Sequence, residues 1–365
     1  MLKKITLVVA TTLLVTACGS NSETAGSGSA DSGQSDKVYK LKLAATWGPT
    51  LTPFIDASQN MAKMAEEMSN GRLKIQVDPS NKHKSPLGIL DLVKSGQYDM
   101  GHTATYYYKG KDLATIPFTA MPFGMTSTEQ QGWMYYGGGL ELMQKVFKPH
   151  NIVAFPGGNT GMQMGGWFKK EINTVDDFKG LKMRIPGFAG EVIAETGAVP
   201  TTIPGGELYT ALDRGTIDAL EWVGPSMDIK MGFHKIAPYY YTGWHEPGAE
   251  LHYLVNDKAY DKLPADLQQI LKTAMRVSAD DMSVRTQHMN AEFLAQMKTE
   301  APNVQIKTMP PAVLNELKAI NDRLVGDMVN ESPMMKEIIE SQQAYQTKAR
   351  NWGKLADYQY IKDNQ

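Results

Sequence analysis

The chain has 365 residues, enough for about two domains that each bury a core of their own. Its 37 basic and 39 acidic side chains give a formal net charge of -2, so no positive excess is available for a nucleic-acid partner. A hydrophobic content of 42% excludes disorder of the whole chain, and a single cysteine excludes disulfide frameworks, cysteine-ligated zinc and iron–sulfur clusters.

The beginning of the chain predicts export and a lipid anchor. Two lysines precede an apolar run at 5–17 that is too short to span a bilayer but typical of a signal peptide. The run ends in Val-Thr-Ala-Cys, which resembles a bacterial lipobox with Cys18 as the lipidated residue. The alternative is a plain secretory peptide cut near Ala17. We therefore expect a signal peptide at 1–17 and a lipidated cysteine with a flexible Ser/Gly-rich linker at 18–37.

The elements that follow predict an α/β fold. Alternating apolar residues predict a first strand at 38–46 and a second strand at 73–77. Between them, apolar residues at helical spacing predict an amphipathic helix that begins after Pro53 and ends at Asn70. The order strand, helix, strand is typical of α/β proteins.

One sequence pattern occurs twice and bears on the number of lobes. At Gly96 and again at Gly215, an apparent helix ends at the glycine and an apolar-Asp-apolar strand follows at once. Such junctions are common in α/β proteins. Their recurrence nevertheless favours two similar lobes.

The last third of the chain predicts long helices. Residues 263–299 have apolar side chains at helical intervals over roughly ten turns. A second helical stretch at 311–355 is interrupted near Pro333. Because one small lobe cannot cover so much helix, these helices either brace both lobes or pack on another subunit.

Common enzyme motifs are absent from the sequence. It has no Walker loop, dinucleotide-binding glycine motif, EF-hand loop or nucleophile elbow. His245 and Glu246 begin like a zincin motif, but Ala249 occupies the position of the second histidine. The seven histidines show no paired spacing, which argues against a transition-metal site.

Arg184 is the first candidate site residue. Residues 181–185 predict a strand, and Arg184 lies at its carboxyl end, where open α/β sheets bind ligands. Its planar guanidinium can bind a carboxylate through two parallel hydrogen bonds. The alternative is an ordinary salt bridge.

Two glutamates suggest a cation. Alternation over 217–223 places Glu221 on an apolar strand face, where it needs a cation, a strong donor or a break in the strand. Glu246 lies in the aromatic segment 239–250. Together with an amide such as Gln163 and a backbone carbonyl, these carboxylates would form an oxygen-only shell that suits a hard cation.

Three runs then carry a family resemblance. The sequences at 159–163, 178–187 and 211–225 resemble the solute-binding proteins of TRAP (tripartite ATP-independent periplasmic) transporters, and the similarity extends over most of 38–340. The run Glu-Trp-Val-Gly-Pro, followed by 239–246, most resembles the subgroup that binds 2-oxo or 2-hydroxy monocarboxylates together with a metal ion.

The resemblance implies a two-lobed periplasmic-binding-protein fold that closes like a clamp. We expect 38–158 to form mainly lobe 1 and 159–255 mainly lobe 2, with crossing hinge strands. Long C-terminal helices at 256–365 would brace both lobes and, as in subgroup members, exchange between the subunits of a dimer. The implied function is non-enzymatic: the protein would deliver a small acid to membrane permease subunits.

Two other functions stay open at this point. A receptor of the same fold could report the presence of the ligand to a sensor protein. A metal-dependent lyase or hydrolase could use Glu221 and Glu246 as acid and base.

The resemblance also implies roles for individual residues. Arg184 would pair with the ligand carboxylate, and Asn159 would hydrogen-bond the ligand. Sodium or calcium would contact the ligand and be held by four groups, namely Gln163, Glu221, the Trp222 carbonyl and Glu246. In lobe 1, Trp47 and the tyrosine run that begins at Tyr106 would form walls of the pocket, with ordinary core packing as the alternative.

Overall fold

The computed structural model describes residues 37–364. The expected signal peptide, the lipobox and nearly all of the expected linker lie outside the described residues. Within 37–364, no helix is both long enough and apolar enough to cross a membrane.

Two β-sheets organise the described part of the chain. The first has the strand order β2-β1-β3-β10-β4, and the second has the order β11-β9-β5-β8-β6-β7. The strands are β1 (Tyr39–Ala45), β2 (Leu73–Asp78), β3 (Met100–Thr103), β4 (Ile152–Asn159), β5 (Gly166–Phe168), β6 (Lys182–Arg184), β7 (Val199–Thr201), β8 (Ala219–Leu220), β9 (Tyr239–Tyr241), β10 (Glu250–Asn256) and β11 (Gln305–Lys307).

Both sheets are mixed, and helices surround them. In the first sheet β10 runs antiparallel to both of its neighbours, and in the second sheet β5 does the same. The helices are α1 (Phe54–Met68), α2 (Ser80–His83), α3 (Ile89–Lys94), α4 (Ile116–Thr119), α5 (Ser127–Tyr136), α6 (Gly139–Phe147), α7 (Ala189–Ala194), α8 (Leu208–Asp213), α9 (Pro225–Met231), α10 (Asp257–Asp261), α11 (Ala265–Glu300), α12 (Pro311–Glu331), α13 (Pro333–Leu355) and α14 (Asp357–Asp363).

The predicted opening of the fold is confirmed. β1, α1 and β2 follow one another, and α1 buries the apolar face that its spacing predicted, including Phe54 and Met61. Both glycine junctions are present as well. Gly96 and Gly215 have φ values of 74° and 72°, a left-handed conformation that ends α3 and α8 without the steric cost of a side chain.

The strand predicted at 217–223 is wrong beyond Leu220. After β8 the Glu221 N–H still donates to the Arg184 carbonyl of β6 at 3.1 Å, but the N–H groups of Val223 and Gly224 bind a side chain instead of a strand. The Asp228 carboxylate accepts from the N–H of Val223 at 3.1 Å and from that of Gly224 at 3.0 Å. The strand predicted at 181–185 is likewise shorter, since β6 covers only 182–184.

The chain passes between the sheets three times, twice through a short segment and once through α10 and α11, which connect β10 to β11. It leaves the first sheet after β4 to form β5, and it returns from β9 to form β10. These two crossing segments, 160–165 and 242–249, carry several candidate site residues.

The long helices predicted near the C-terminus are confirmed. α11 packs against α1 and β4 beside the first sheet and against α9 beside the second. α12 contacts α7, whereas α13 contacts α5 and α6. The C-terminal helices therefore contact elements associated with both sheets.

Candidate ligand and cation site

Arg184 ends β6 and is buried under an aromatic ring. Its Nη1 contacts the Glu221 carboxylate and also donates to the Glu221 backbone oxygen at 2.8 Å, while its Nε donates to the carbonyl of Ile203 at 3.3 Å. The guanidinium carbon lies 5.2 Å from the centre of the Trp222 ring. These contacts hold the planar group rigidly, as a site that recognises carboxylates requires.

Glu221 bridges Arg184 and a histidine. One carboxylate oxygen contacts Arg184, and Oε2 lies 3.1 Å from Nε2 of His245. All three side chains are almost completely buried. The basic residues nearest to Glu221 in the sequence, Arg214 and Lys230, are both exposed, so its positive partner comes from a distant segment.

A potential cation site includes His245, which the sequence analysis did not select. Glu221, His245 and Glu246 each offer a ligand atom, and these atoms lie within 4.8 Å of one another. His245 lacks any paired spacing with another histidine, so spacing could not have identified it. Only its position next to Glu246 in the sequence could have indicated that His245 belongs to the site.

Two buried oxygens in this region have no hydrogen-bond donor among residues 37–364. They are Oε1 of Gln163 and Oε2 of Glu246. The Gln163 amide is oriented by its Nε2, which donates to Oγ1 of Thr160 at 3.1 Å, so that Oε1 is the atom left free. Unpartnered buried acceptors are costly unless a cation or donor binds them, so these residues fit a hard cation.

The ionisation of Glu246 also favours a bound cation. Burial raises the pKa of Glu246 well above its usual range, and the neighbouring Glu221 carboxylate raises it further. Arg184 and a hydrogen bond with Tyr106 lower the pKa of Glu246. Two buried carboxylates this close need additional positive charge if both are to be ionised.

Asn159 is held firmly at the end of β4. Its Nδ2 donates to Oε2 of Glu250 at 3.0 Å, and its Oδ1 accepts from the N–H of Gly161 at 2.9 Å. Its backbone N–H donates to Oγ of Ser283 at 2.9 Å. The side chain is completely buried, so its orientation is fixed by these contacts.

Aromatic side chains line a cavity of about 400 Å³ that includes Trp47, Tyr107 and Trp222. The Trp47 indole N–H donates to Nδ1 of His102 at 3.0 Å, so Trp47 offers the cavity an apolar ring. The predicted wall residue Tyr106 is buried and contacts Glu246, whereas its neighbour Tyr107 lines the cavity.

The chain matches the family model described as bacterial extracellular solute-binding protein, family 7 (DctP), over residues 43–332. It is 37% identical over 355 residues to a monocarboxylate 2-oxoacid-binding periplasmic protein of Nostoc sp., a match that covers 97% of this chain and 95% of the relative.

Two solved structures are more similar still. A TRAP periplasmic solute-binding protein from Colwellia psychrerythraea, with bound calcium and pyruvate, is 59% identical and has a TM-score of 0.89. A second, from Pseudoalteromonas atlantica T6c with bound sodium and pyruvate, is 58% identical with a TM-score of 0.89. In each case the match covers 90% of this chain and 100% of the other chain.

These comparisons confirm the predicted family, its two-lobed fold and its extracytoplasmic location. They also confirm that the protein is a transport receptor rather than an enzyme, so the lyase or hydrolase alternative is set aside. The chain belongs to the DctP family of solute-binding proteins, which serve TRAP transporters.

Proposed function

We propose that this protein binds a small 2-oxo or 2-hydroxy monocarboxylate, such as pyruvate or lactate, together with sodium or calcium, and delivers it to TRAP permease subunits. One observation carries the proposal: a buried guanidinium, that of Arg184, lies beside two buried carboxylates, those of Glu221 and Glu246. The relatives that bind pyruvate with calcium or sodium support the same conclusion.

The ligand carboxylate binds Arg184 in this proposal. Nη2 of Arg184 has no acceptor among residues 37–364, although Nε and Nη1 are both used. A ligand carboxylate can therefore accept from Nη2 without displacing the contacts that hold the guanidinium. Asn159, on the strand that leads into the first crossing segment, supplies a further donor to the ligand.

The cation is bound by oxygen atoms of Gln163, Glu221, the Trp222 carbonyl and Glu246. The unpartnered oxygens of Gln163 and Glu246 support this assignment. The bound cation would supply positive charge that offsets the two carboxylates and would attract the oxygen at carbon 2 of the ligand. Trp47 forms a wall of the cavity, and Tyr106 contributes through its contact with Glu246.

The test is calorimetric titration of pyruvate into protein that has been unfolded, stripped with chelator and refolded without sodium or calcium. Restoring either ion should strengthen pyruvate binding, and native mass spectrometry should show protein, cation and acid in one complex. Equal affinity with and without ions would exclude the cation from the function. Absence of any pyruvate binding would exclude the proposed ligand class.

The protein is anchored to the membrane through lipid on Cys18 in this proposal, with the segment 18–37 as a tether. Lobe 1 consists mainly of 38–158 and lobe 2 of 159–255. A Cys18→Ser variant should move from the detergent phase to the aqueous phase in detergent partitioning. Equal partitioning of both proteins would contradict the anchor.

Two copies associate through their C-terminal helices. The end of α13 and α14 present large exposed apolar side chains, with Trp352 exposed by 72%, Leu355 by 78% and Tyr360 by 70%. Monomeric proteins seldom expose so many large apolar groups in one short segment, and a second copy would cover them.

A further inference from the structure

We propose that Glu250 is a positioning residue for the ligand site: its carboxylate fixes the Asn159 amide so that one N–H of that amide is left for the ligand. This inference rests on the proposed role of Asn159. It gives Glu250, a buried carboxylate outside the cation site, a function in ligand recognition.

Glu250 lies opposite Asn159 in the ladder between β10 and β4. Its Oε2 accepts from Nδ2 of Asn159 at 3.0 Å, and its Oε1 accepts from the N–H of Gly158 at 3.2 Å. Glu250 is completely buried. One carboxylate therefore holds both the Asn159 side chain and the backbone immediately before it.

The remaining groups of Asn159 are also occupied, with one exception. Oδ1 accepts from Gly161 and the backbone N–H donates to Ser283. A primary amide carries two donor hydrogens, and only one of them is used by Glu250. Among residues 37–364 the second hydrogen has no acceptor. Because an unpaired buried donor is costly, this N–H is the group that a ligand oxygen would satisfy.

A carboxylate at position 250 costs more than a neutral side chain would. Glu250 has no ion-pair partner in the described part of the chain, and burial raises its pKa to about 7 despite the hydrogen bonds from Asn159 and Gly158. A carboxylate accepts through both oxygens and donates through neither, so it leaves the Asn159 amide only one orientation. A glutamine could accept from only one of the two donors, and the amide could then flip.

The experiment compares Glu250→Gln with the wild-type protein by titrating pyruvate in calcium buffer and by measuring the melting temperature. We expect the dissociation constant to rise at least tenfold, because the ligand-facing N–H is no longer held in place. The melting temperature should fall by a few degrees, because the glutamine leaves one of the two buried donors unpaired, although removal of an unpaired buried carboxylate offsets part of that loss. Asp99→Asn is the control, since the half-buried Asp99, just before β3, also accepts from a backbone N–H of the first sheet, that of Lys42 in β1, at 2.8 Å.

Two further variants test whether the role is specific. Glu250→Asp keeps the charge, but its shorter side chain moves the carboxylate away from Asn159, so this variant should also bind pyruvate more weakly. If Glu250→Gln does not fold, Glu250→Asp takes its place in the comparison. The double variant Asn159→Asp with Glu250→Gln reverses donor and acceptor. It should recover the melting temperature of the wild type, but not pyruvate binding, because the free N–H is lost.

The outcomes separate this inference from the proposed function. A dissociation constant of Glu250→Gln within threefold of wild type, or recovered binding in the double variant, would overturn the role of Glu250. An equal loss of affinity in Asp99→Asn would do so as well. If wild-type protein binds pyruvate and Arg184→Ala does not, the proposed function stands whatever Glu250→Gln does.

Discussion

Arg184 and Glu221 form an ion pair at the centre of the site, and both side chains are at most 2% exposed. A ligand carboxylate that binds Arg184 must therefore compete with a carboxylate of the protein itself. A cation that binds Glu221 would draw this charge away from Arg184. Cation and ligand should then bind cooperatively, and linkage requires that each raise the affinity of the other by the same factor.

Glu221→Gln should remove this coupling. The variant keeps the size of the side chain but removes the carboxylate that contacts Arg184 directly. The cation-free variant should therefore bind pyruvate more tightly than the cation-free wild type. Adding calcium should strengthen wild-type binding by about tenfold or more and variant binding by less than about threefold. Calorimetry on chelator-treated proteins measures both effects.

The control for this experiment is Glu195→Gln, which removes an exposed carboxylate that pairs with Arg323. It should respond to calcium as the wild type does. If Glu221→Gln shows the wild-type response, the internal competition for Arg184 has no role in binding.

Arg184→Ala should weaken pyruvate binding by about 30-fold to several thousand-fold. Removal of one partner from a buried charge pair costs roughly 2–5 kcal/mol. Arg184→Lys should also bind poorly, because an ammonium group cannot reproduce the planar fork. Titration calorimetry is the measurement, with the exposed Arg214→Ala as the control. A change below about threefold for Arg184→Ala would contradict the assignment.

Local sequence pattern was sufficient to predict Arg184 at the end of a strand. The apolar alternation of 181–185 and the Pro-Gly that follows both report on the residue's immediate neighbours. The same holds for α1 and α11, whose apolar residues repeat with the helical period. Such features depend on short segments and can be read without knowledge of the fold.

Contacts across the fold could not be predicted in this way. Glu221 and His245 are 24 residues apart, and Asn159 and Glu250 are 91 residues apart. Nothing in either segment indicates its partner. The break after Leu220 was equally hidden, because it depends on a carboxylate from α9 that binds the backbone N–H groups which a strand would otherwise use.

Asp228 provides a test through pH. Its carboxylate accepts hydrogen bonds from Trp167 at 3.0 Å, Tyr240 at 2.8 Å, Val223 at 3.1 Å and Gly224 at 3.0 Å. Burial nevertheless raises the pKa of Asp228 from 3.8 to about 7, although the four donors lower it. Between pH 3.8 and about 7, Asp228 is therefore protonated in the folded protein and ionised in the unfolded chain.

The sign of the pH effect follows from linkage. The contribution of Asp228 to stability is complete below pH 3.8 and is lost as the pH rises through about 7. The free energy of unfolding of Asp228→Asn, measured with urea from about pH 4.5 to 7.5, should therefore fall less with pH than that of wild type. The variant is less stable overall because an amide cannot accept from all four donors, so only the slope is diagnostic. Parallel profiles would contradict the raised pKa.

The C-terminal helices test the proposed dimer. α12 and α13 bury core side chains such as Val313, Leu317 and Ile338, so removal of residues 311–365 would expose the core as well as any interface. Deletion of 357–365 together with Trp352→Ser is more selective, because Trp352 and residues 357–364 are exposed.

We expect the intact protein to sediment as a dimer at micromolar concentration and this shorter variant as a monomer, with an unchanged melting temperature for the remaining fold. A matched Tyr136→Ser variant removes an equally exposed aromatic residue, 82% exposed, from α5 and should stay dimeric. If the wild-type protein is monomeric, the dimer is excluded and the C-terminal helices only brace the fold of their own chain.

Ligand selectivity tests the cation more directly than any single substitution. If the cation binds the oxygen at carbon 2, pyruvate and lactate gain a contact that propionate cannot form, although all three share the carboxylate that binds Arg184. Propionate should therefore bind at least about tenfold more weakly in calcium buffer, consistent with the loss of one charge-assisted contact. In cation-free buffer the difference should shrink, because only the contacts with Arg184 and Asn159 then remain. Calorimetric competition of the three acids under both conditions measures this, and equal discrimination with and without calcium would show that the protein, and not the cation, recognises the second oxygen.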